Sequence, residues 1–325
     1  MKRSNIITGI KILGNRLRGK PEPILVGWAV TNRCNLRCRY CAWPHRPAPE
    51  IDTQQALSLA VQMADAGVRQ VVFSGGEPLL RDDLEQIIDQ LKQRGITIGL
   101  DSNGLLVPQK KSLIRKLDAL ALSLDGPKEN HDRLRGKGAF DAVTAAIETA
   151  QSEGIPVTIN TTLTTENVDA VDWLLEFAEQ HHTVVDFQPV SDVHTDPEDA
   201  AKLMIEPSGW HKIIDALAMR KQNGAPVMNS PACLAHLRHY PEQTSIGCTA
   251  GRIITRIDPQ GMLFPCNPMR LHEPWPNAVE LGFAEAFARM PKVACKQCWC
   301  SATVELNLIG SWNFSAIRNK IDLDR

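Results

Sequence analysis

Residues 70–101 read QVVFSGGEPLLRDDLEQIIDQLKQRGITIGLD, and this stretch carries a complete β/α/β unit. Residues 70–74 form a short β-branched apolar run, which Ser74-Gly75-Gly76-Glu77-Pro78 interrupts with turn-forming residues. Leu84, Ile87, Ile88 and Leu91 then recur at helical spacing, behind Asp82 and Asp83, whose carboxylates suit a helix N-terminus. Gly95 closes the helix and residues 97–101 resume an extended run. Strands joined by a helix lie parallel with a right-handed crossover, so the unit predicts a parallel sheet.

The pattern repeats on both sides. Further candidate strands lie at 24–31, 119–124, 156–160 and 184–190, which makes six. Six β/α units imply an α/β fold, a partial (β/α)6 TIM-like barrel over residues 23–190 whose chemistry sits at the C-terminal ends of the strands. From Ser191 the alternation gives way to an Asp/Glu/Pro-containing stretch and helices around 210–221 and 233–239, read as a bridge over 191–247. Residues 252–264 alternate around Asp258-Pro259-Gln260-Gly261, the signature of a hairpin within a small C-terminal domain at 248–325.

Composition narrows the function. With 43% apolar residues, 325 residues bury a sizeable core. Lys plus Arg number 36 against 37 Asp plus Glu, so no charge excess calls for nucleic acid. No run is apolar enough to span a bilayer and no secretory signal opens the chain, which implies a cytoplasmic protein. Nine cysteines in a reducing compartment point to metal or redox chemistry rather than disulfides. Three lie at Cys34, Cys38 and Cys41, Cys233 stands alone, and Cys248, Cys266, Cys295, Cys298 and Cys300 crowd the last quarter.

The front group, Cys34-Asn35-Leu36-Arg37-Cys38-Arg39-Tyr40-Cys41, follows the first candidate strand directly. Three soft ligands can hold three irons of a [4Fe–4S] cube and leave the fourth open. A structural zinc site wants four ligands, and the nearest fourth is His45.

With its C-x3-C-x2-C spacing and aromatic Tyr40 before the third cysteine, the segment resembles the radical S-adenosylmethionine (SAM) superfamily. Ser74-Gly75-Gly76-Glu77-Pro78 is similar to that family's glycine-rich segment, which implies that Gly75, Gly76 and Glu77 contact the SAM amino group. Asp101-Ser102-Asn103-Gly104, Ser123-Leu124-Asp125-Gly126-Pro127 and His131-Asp132-Arg133-Leu134-Arg135 match further. The resemblance implies that Ser123 and one arginine, Arg135 in preference to Arg133, meet the SAM carboxylate, as the guanidinium fork suits. Asn160 and Gln188, at strand ends, point toward ribose or substrate or serve as caps.

Cys248, Gly251, Gly261 and Pro265-Cys266, followed by Cys295 and Cys298, resemble the SPASM and twitch extensions of radical SAM enzymes, here the shorter twitch type. That implies a second, auxiliary [4Fe–4S] cluster on Cys248, Cys266, Cys295 and Cys298, with Cys300 an alternative to Cys298. The same four thiols would also suit one zinc. Cys233 reads as a buried, inert thiol near Leu234 and Leu237.

Lys2, Arg3, Lys11, Arg16, Arg18 and Lys20, with Ile6, Ile10, Leu13 and Leu17 at helical spacing, form a basic amphipathic segment in residues 1–22. Residues 1–20 can touch a membrane peripherally or pack across the barrel edge. The resemblance implies reductive cleavage of SAM to a 5′-deoxyadenosyl radical that takes hydrogen from a small-molecule or lipid-precursor substrate. A flavodoxin- or ferredoxin-type reductant supplies electrons, and the auxiliary cluster relays them. A peptide-modifying maturase is the alternative within enzymes; an electron carrier or a zinc-binding structural protein is the alternative outside them. The small-molecule reading is preferred because no peptide-recognition domain precedes the barrel.

Overall fold

The computed structural model describes residues 14, 21–45, 48–190, 201–242, 244, 246–271, 274–291, 295 and 298–323. The basic segment expected over residues 1–20 lies outside them apart from Gly14, as does the 191–200 part of the bridge.

The strands are β1 (Leu25–Thr31), β2 (Gln70–Gly75), β3 (Thr97–Ser102), β4 (Ala119–Ser123), β5 (Val157–Leu163), β6 (Val184–Pro189), β7 (Ile254–Ile257) and β8 (Leu263–Phe264). They form one sheet in the order β6-β5-β4-β3-β2-β1-β7-β8. Every neighbouring pair from β6 to β7 is parallel, and only β7 with β8 is antiparallel. The helices between and after the strands are α1 (Thr53–Asp65), α2 (Leu84–Lys92), α3 (Lys111–Ile114), α4 (Lys128–Arg135), α5 (Ala139–Ser152) and α6 (Val171–Gln180). The C-terminal part adds α7 (Pro207–Gln222), α8 (Pro231–Leu237), α9 (Ala278–Leu281), α10 (Phe283–Arg289), α11 (Ser301–Gly310) and α12 (Phe314–Leu323).

Strand alternation separates two chemistries. On the face toward the helices, Val26, Trp28 and Val30 of β1, Val71 and Phe73 of β2, Ile98 and Leu100 of β3 and Leu120 and Leu122 of β4 are buried. They share a core with Ala56, Leu59 and Met63 of α1 and with Leu84, Ile87, Ile88 and Leu91 of α2, the helical stripe seen in the sequence. Helix α1 begins with a capping box in which Asp52 and Gln55 satisfy each other's backbone N–H groups.

The other face is small and polar. Register aligns Ser74 with Ala29, Ala121 with Asp101, Asn160 with Ser123 and Asp186 with Asn160. A closed (β/α)8 barrel fills its interior with bulky branched side chains. This partial barrel instead keeps Gly27, Ala29, Gly99 and Ala121 there, beside Ser, Asn and Asp.

The hairpin expected over 252–264 pairs β7 with β8, and β7 also pairs in parallel with β1, from Leu25↔Ile254 to Trp28↔Ile257. The barrel sheet thus continues into the C-terminal part. Helix α11 crosses the inner side of the sheet: Leu306 and Ile309 pack on Ile24, Leu25, Ile253 and Ile254. At its first turn, Ser301 Oγ donates to Asp186 Oδ2 of β6 at 2.5 Å.

Candidate active site

The front cysteines leave the sheet at the C-terminal end of β1, on a loop seated by backbone contacts to the end of β2. Gly76 N donates to Thr31 O and Glu77 N to Arg33 O, each at 2.8 Å. A Cβ on Gly75 would lie 2.2 Å from the Thr31 carbonyl oxygen, and one on Gly76 2.1 Å from that of Arg33. Each glycine thus leaves room for the backbone that leads into the cysteine loop. Gly75 also has φ +130°, which favours glycine. Thr31 Oγ1 and Arg33 Nε both donate to Glu50 Oε1, at 2.5 and 3.0 Å, and fasten the loop's first residues to the chain before α1.

Cys34, Cys38 and Cys41 are half-buried. Leu36 N lies 3.5 Å and Asn103 Nδ2 3.8 Å from Cys34 Sγ, donors directed at a sulfur that can carry negative charge. Burial pushes the Cys34 thiol up and the Cys38 thiol up to about 12, the latter opposed by the Arg135 guanidinium. Thiols in such surroundings ionise when a metal takes the charge. Among the described residues no three His, Cys, Asp or Glu are gathered closely enough to hold a metal ion as the chain stands. What fits a cluster is the donor set: three thiols on one loop at a strand's C-terminal end, with N–H groups aimed at sulfur. His45, the candidate fourth zinc ligand, is exposed at the end of the 3-10 turn Trp43–His45.

Glu77 is fully buried. Its carboxylate accepts from Ser102 Oγ at 3.0 and 3.1 Å, from Asn103 N at 2.9 Å and from Leu79 N at 3.1 Å, tying the end of β2 to the end of β3. Burial outweighs these donors and pushes its acid up to about 7.

Tyr40 and Arg135 meet at Asp125. Tyr40 OH donates to Asp125 Oδ2 at 2.6 Å, and Arg135 Nε and Nη2 donate to its two oxygens at 2.6 and 3.2 Å. The guanidinium also lies 5.4 Å from the Tyr40 ring centre. Burial alone would push Asp125 up, but the adjacent cation outweighs it and holds the carboxyl below the usual range. Beneath, His131 Nδ1 accepts from Asp125 N, and burial lowers this imidazole to about 4, so it stays neutral. Arg135 is therefore engaged with Asp125, while Arg133 and Arg39 share the half-buried Glu166. Ser123 and Asn160 sit opposite each other across β4 and β5, with Gln188 at the end of β6, all on the inner face and half-buried. In the sequence, Asp125 and Asn103 stand within segments that match the family, and nothing there assigns either a role.

Cys248, Cys266, Cys295, Cys298 and Cys300 line one pocket together with Trp299. Asn307 of α11 spans its wall: its Oδ1 accepts from Thr249 N and Oγ1, and its Nδ2 lies 3.6 Å from Cys298 Sγ. Burial raises the thiols of Cys248, Cys266 and Cys298, Cys266 to about 12. Cys233 is buried outside this pocket, as its sequence surroundings suggested. The two cysteine regions touch through their flanks, for Arg270, four residues after Cys266, lies 4.1 Å over the Trp43 ring, two residues after Cys41.

A partial parallel barrel with a polar inner face and three thiols at its C-terminal rim defines an enzyme fold with a metal-cofactor site. Residues 28–178 match the family model described as the Radical SAM superfamily, and this part of the chain is a radical SAM domain. That superfamily uses a [4Fe–4S] cluster and SAM. The chain is 32% identical over 166 residues to the Fe-coproporphyrin III synthase of Methanosarcina barkeri, covering 49% of this chain and 41% of that protein. It is 26% identical over 274 residues to the mycofactocin maturase MftC of Mycolicibacterium smegmatis, covering 79% of this chain and 67% of that one. It thus spans about two fifths of the first relative and two thirds of the second. The fold is similar to that of Streptococcus suis SuiB bound to S-adenosylmethionine, with TM-score 0.66 and 18% identity over 82% of this chain and 66% of that one. Among the described residues no helix is long and apolar enough to cross a membrane.

Proposed function

We propose that the chain cleaves SAM reductively at a [4Fe–4S] cluster on Cys34, Cys38 and Cys41 and directs the resulting radical at a small-molecule or lipid-precursor substrate. The observation that carries this is the three-thiol loop at the C-terminal end of β1, fixed through Gly75 and Gly76 to the end of β2 within a radical SAM domain. When bound, the cluster supplies one electron to SAM, whose C–S bond breaks to give methionine and a 5′-deoxyadenosyl radical that takes a hydrogen atom from a C–H bond. The chain's own part is positioning and exclusion of water. Glu77 holds the rim together between β2 and β3, and the Tyr40–Asp125–Arg135 group supports the loop from beneath with a cation near Cys38. Tyr40, Gly75, Gly76, Glu77, Ser123, Arg135 and Asn160 are the proposed neighbours of SAM.

The pocket of rear thiols supports an auxiliary [4Fe–4S] cluster on Cys248, Cys266, Cys295 and Cys298. Four thiolates leave no iron open, so its role is to relay electrons, with a flavodoxin- or ferredoxin-type protein as reductant. Similarity to a protein named for Fe-coproporphyrin III supports a small-molecule substrate, and similarity to a maturase keeps a peptide as the second reading. Incubating the anaerobically reconstituted protein with SAM and dithionite tests the core of the proposal: 5′-deoxyadenosine forms if it holds, and a fully iron-loaded protein that makes none refutes it.

A further inference from the structure

The inner face of the sheet carries one residue that the reading above leaves unused. Arg256 of β7 stands opposite Gly27 of β1 in parallel register, on the same face as Ala29, Ser74 and Asp101. A Cβ on Gly27 would lie 2.0 Å from Arg256 Nη1 and 2.6 Å from its Cδ, so the side chain lies directly across a position that only glycine leaves open. Its Nε is buried and has no hydrogen-bond partner. Asp101 of β3 and Cys266, just beyond β8, feel its charge, yet among the described residues it forms no salt bridge.

A buried guanidinium N–H without an acceptor is costly, and native proteins rarely leave one so. Asp101 shares this face but makes no hydrogen bond to it among the described residues. Ser301 and Asn229 already occupy Asp186, the other acid on this face. Arg256 is also the sole cation that the described strands direct inward, against two acids, Asp101 and Asp186. Two acids beside one cation disfavour a multiply charged anion such as phosphate, and the planar fork of the guanidinium fits the two oxygens of a carboxylate.

We propose that Arg256 binds a carboxylate of the substrate on the inner face, with Gly27 keeping the space its guanidinium needs. This deepens the functional reading and rests on it, because the inner face is where a radical formed at the rim meets its substrate. The substrate class is then a mono- or polycarboxylic acid presenting one carboxylate toward β7 and β1.

Thermal unfolding of the full, anaerobically purified chain tests this, with propionate as the probe and chloride or phosphate at matched ionic strength as comparators. At ten times its Kd, propionate is expected to raise Tm by roughly 2–3 °C over chloride. The shift should vanish in Arg256→Gln, fall by more than half in Arg256→Lys, and grow in Asp101→Asn, which removes a competing anion. A wild-type shift no larger than that of chloride, an unchanged shift in Arg256→Gln, or a larger shift with phosphate overturns the proposal. Should Arg256→Gln not fold, Arg256→Lys and the wild-type comparison decide. Formation of 5′-deoxyadenosine by the same wild-type batch is scored separately: its absence removes the proposed reaction and leaves the carboxylate result standing, whereas its presence without a propionate shift removes only this proposal.

Discussion

Replacing Arg135 by Met isolates the ion pair beneath the cysteine loop. The Arg135 side chain is 9% and that of Asp125 0% exposed, and their closest contact is 2.6 Å. Removing one partner of a buried pair leaves the other charge uncompensated, which costs about 3–5 kcal/mol. Tyr40 OH and Thr162 N still donate to Asp125 in the variant, which argues for the lower half of that range. With an m-value of about 3 kcal/mol/M, the urea midpoint should fall by about 1 M. The effect has a pH signature. In the wild type Asp125 is held below its ordinary value, so the stability it contributes is present above that value and is lost as pH falls through the folded one. In the variant burial is opposed only by hydrogen bonds, the folded carboxyl rises, and ionisation costs stability as pH rises from about 4. The gap between the two proteins should therefore be small near pH 4 and widest at neutral pH. Arg133→Met, which breaks the half-exposed pair with Glu166, should cost less than about 1 kcal/mol. Urea titrations of all three proteins at pH 4, 5.5 and 7 decide it. A gap for Arg135→Met that is below 1 kcal/mol at pH 7, or equal at pH 4 and pH 7, would refute the reasoning.

Iron analysis of the wild type should give about eight irons per chain, and the triple Cys34/Cys38/Cys41→Ala variant about four and no 5′-deoxyadenosine; near-stoichiometric zinc would remove the auxiliary cluster. Cys295→Ala and Cys298→Ala should lose the auxiliary iron whereas Cys233→Ala keeps it, and loss in Cys300→Ala with retention in Cys298→Ala would move the ligand by two positions. Gly76→Ala, whose Cβ meets the Arg33 carbonyl, should cost about 1–3 kcal/mol in urea and lower iron retention at the front site. Glu77 is raised to about 7, so the wild type loses the stability tied to its neutral acid as pH climbs from about 4.5 through 7. Glu77→Gln should flatten that part of the pH–stability curve, and an unchanged slope would count against a buried acid there.

The six strands of the barrel were legible because each combines a β-branched run with a turn signal and a helical stripe, local features that survive without tertiary context. β5 runs three residues beyond its expected end, to Leu163, because Thr161 to Leu163 find partners in Phe187 to Pro189, a pairing that composition does not announce. The placement of β7 was hidden for a stronger reason. The alternation over this stretch announces a hairpin but not a neighbour, and the partner β1 lies more than 220 residues away, so only the folded sheet reveals the pairing. The cysteine pattern identified the front loop, but not what supports it. Asp125 in Leu-Asp-Gly-Pro and Asn103 in Asp-Ser-Asn-Gly look like turn residues, since Asp and Asn favour turns wherever they stand. Their roles come from Tyr40, Arg135 and Cys34, brought to them across the sheet.

The pairing of β7 with β1 alters how the two cysteine regions relate. β1 ends in the loop that carries Cys34, Cys38 and Cys41, and β7 leads through β8 to Cys266, so one strand pair underlies both sites. Further contacts join them. Val190 packs with Tyr40 and Leu134 in a cluster against which Cys38 and Cys41 lie. Tyr240 OH donates to Val190 O at 2.8 Å, and the Tyr240 ring meets Trp299, which stands between Cys298 and Cys300, edge-on at 5.4 Å. Arg270 over Trp43 closes a second link on the other flank. Packed rings and hydrogen bonds in dense protein transmit displacement instead of absorbing it. Filling or emptying the rear pocket should therefore change the setting of the front loop, and the rear cysteines belong to the same mechanical unit as the barrel.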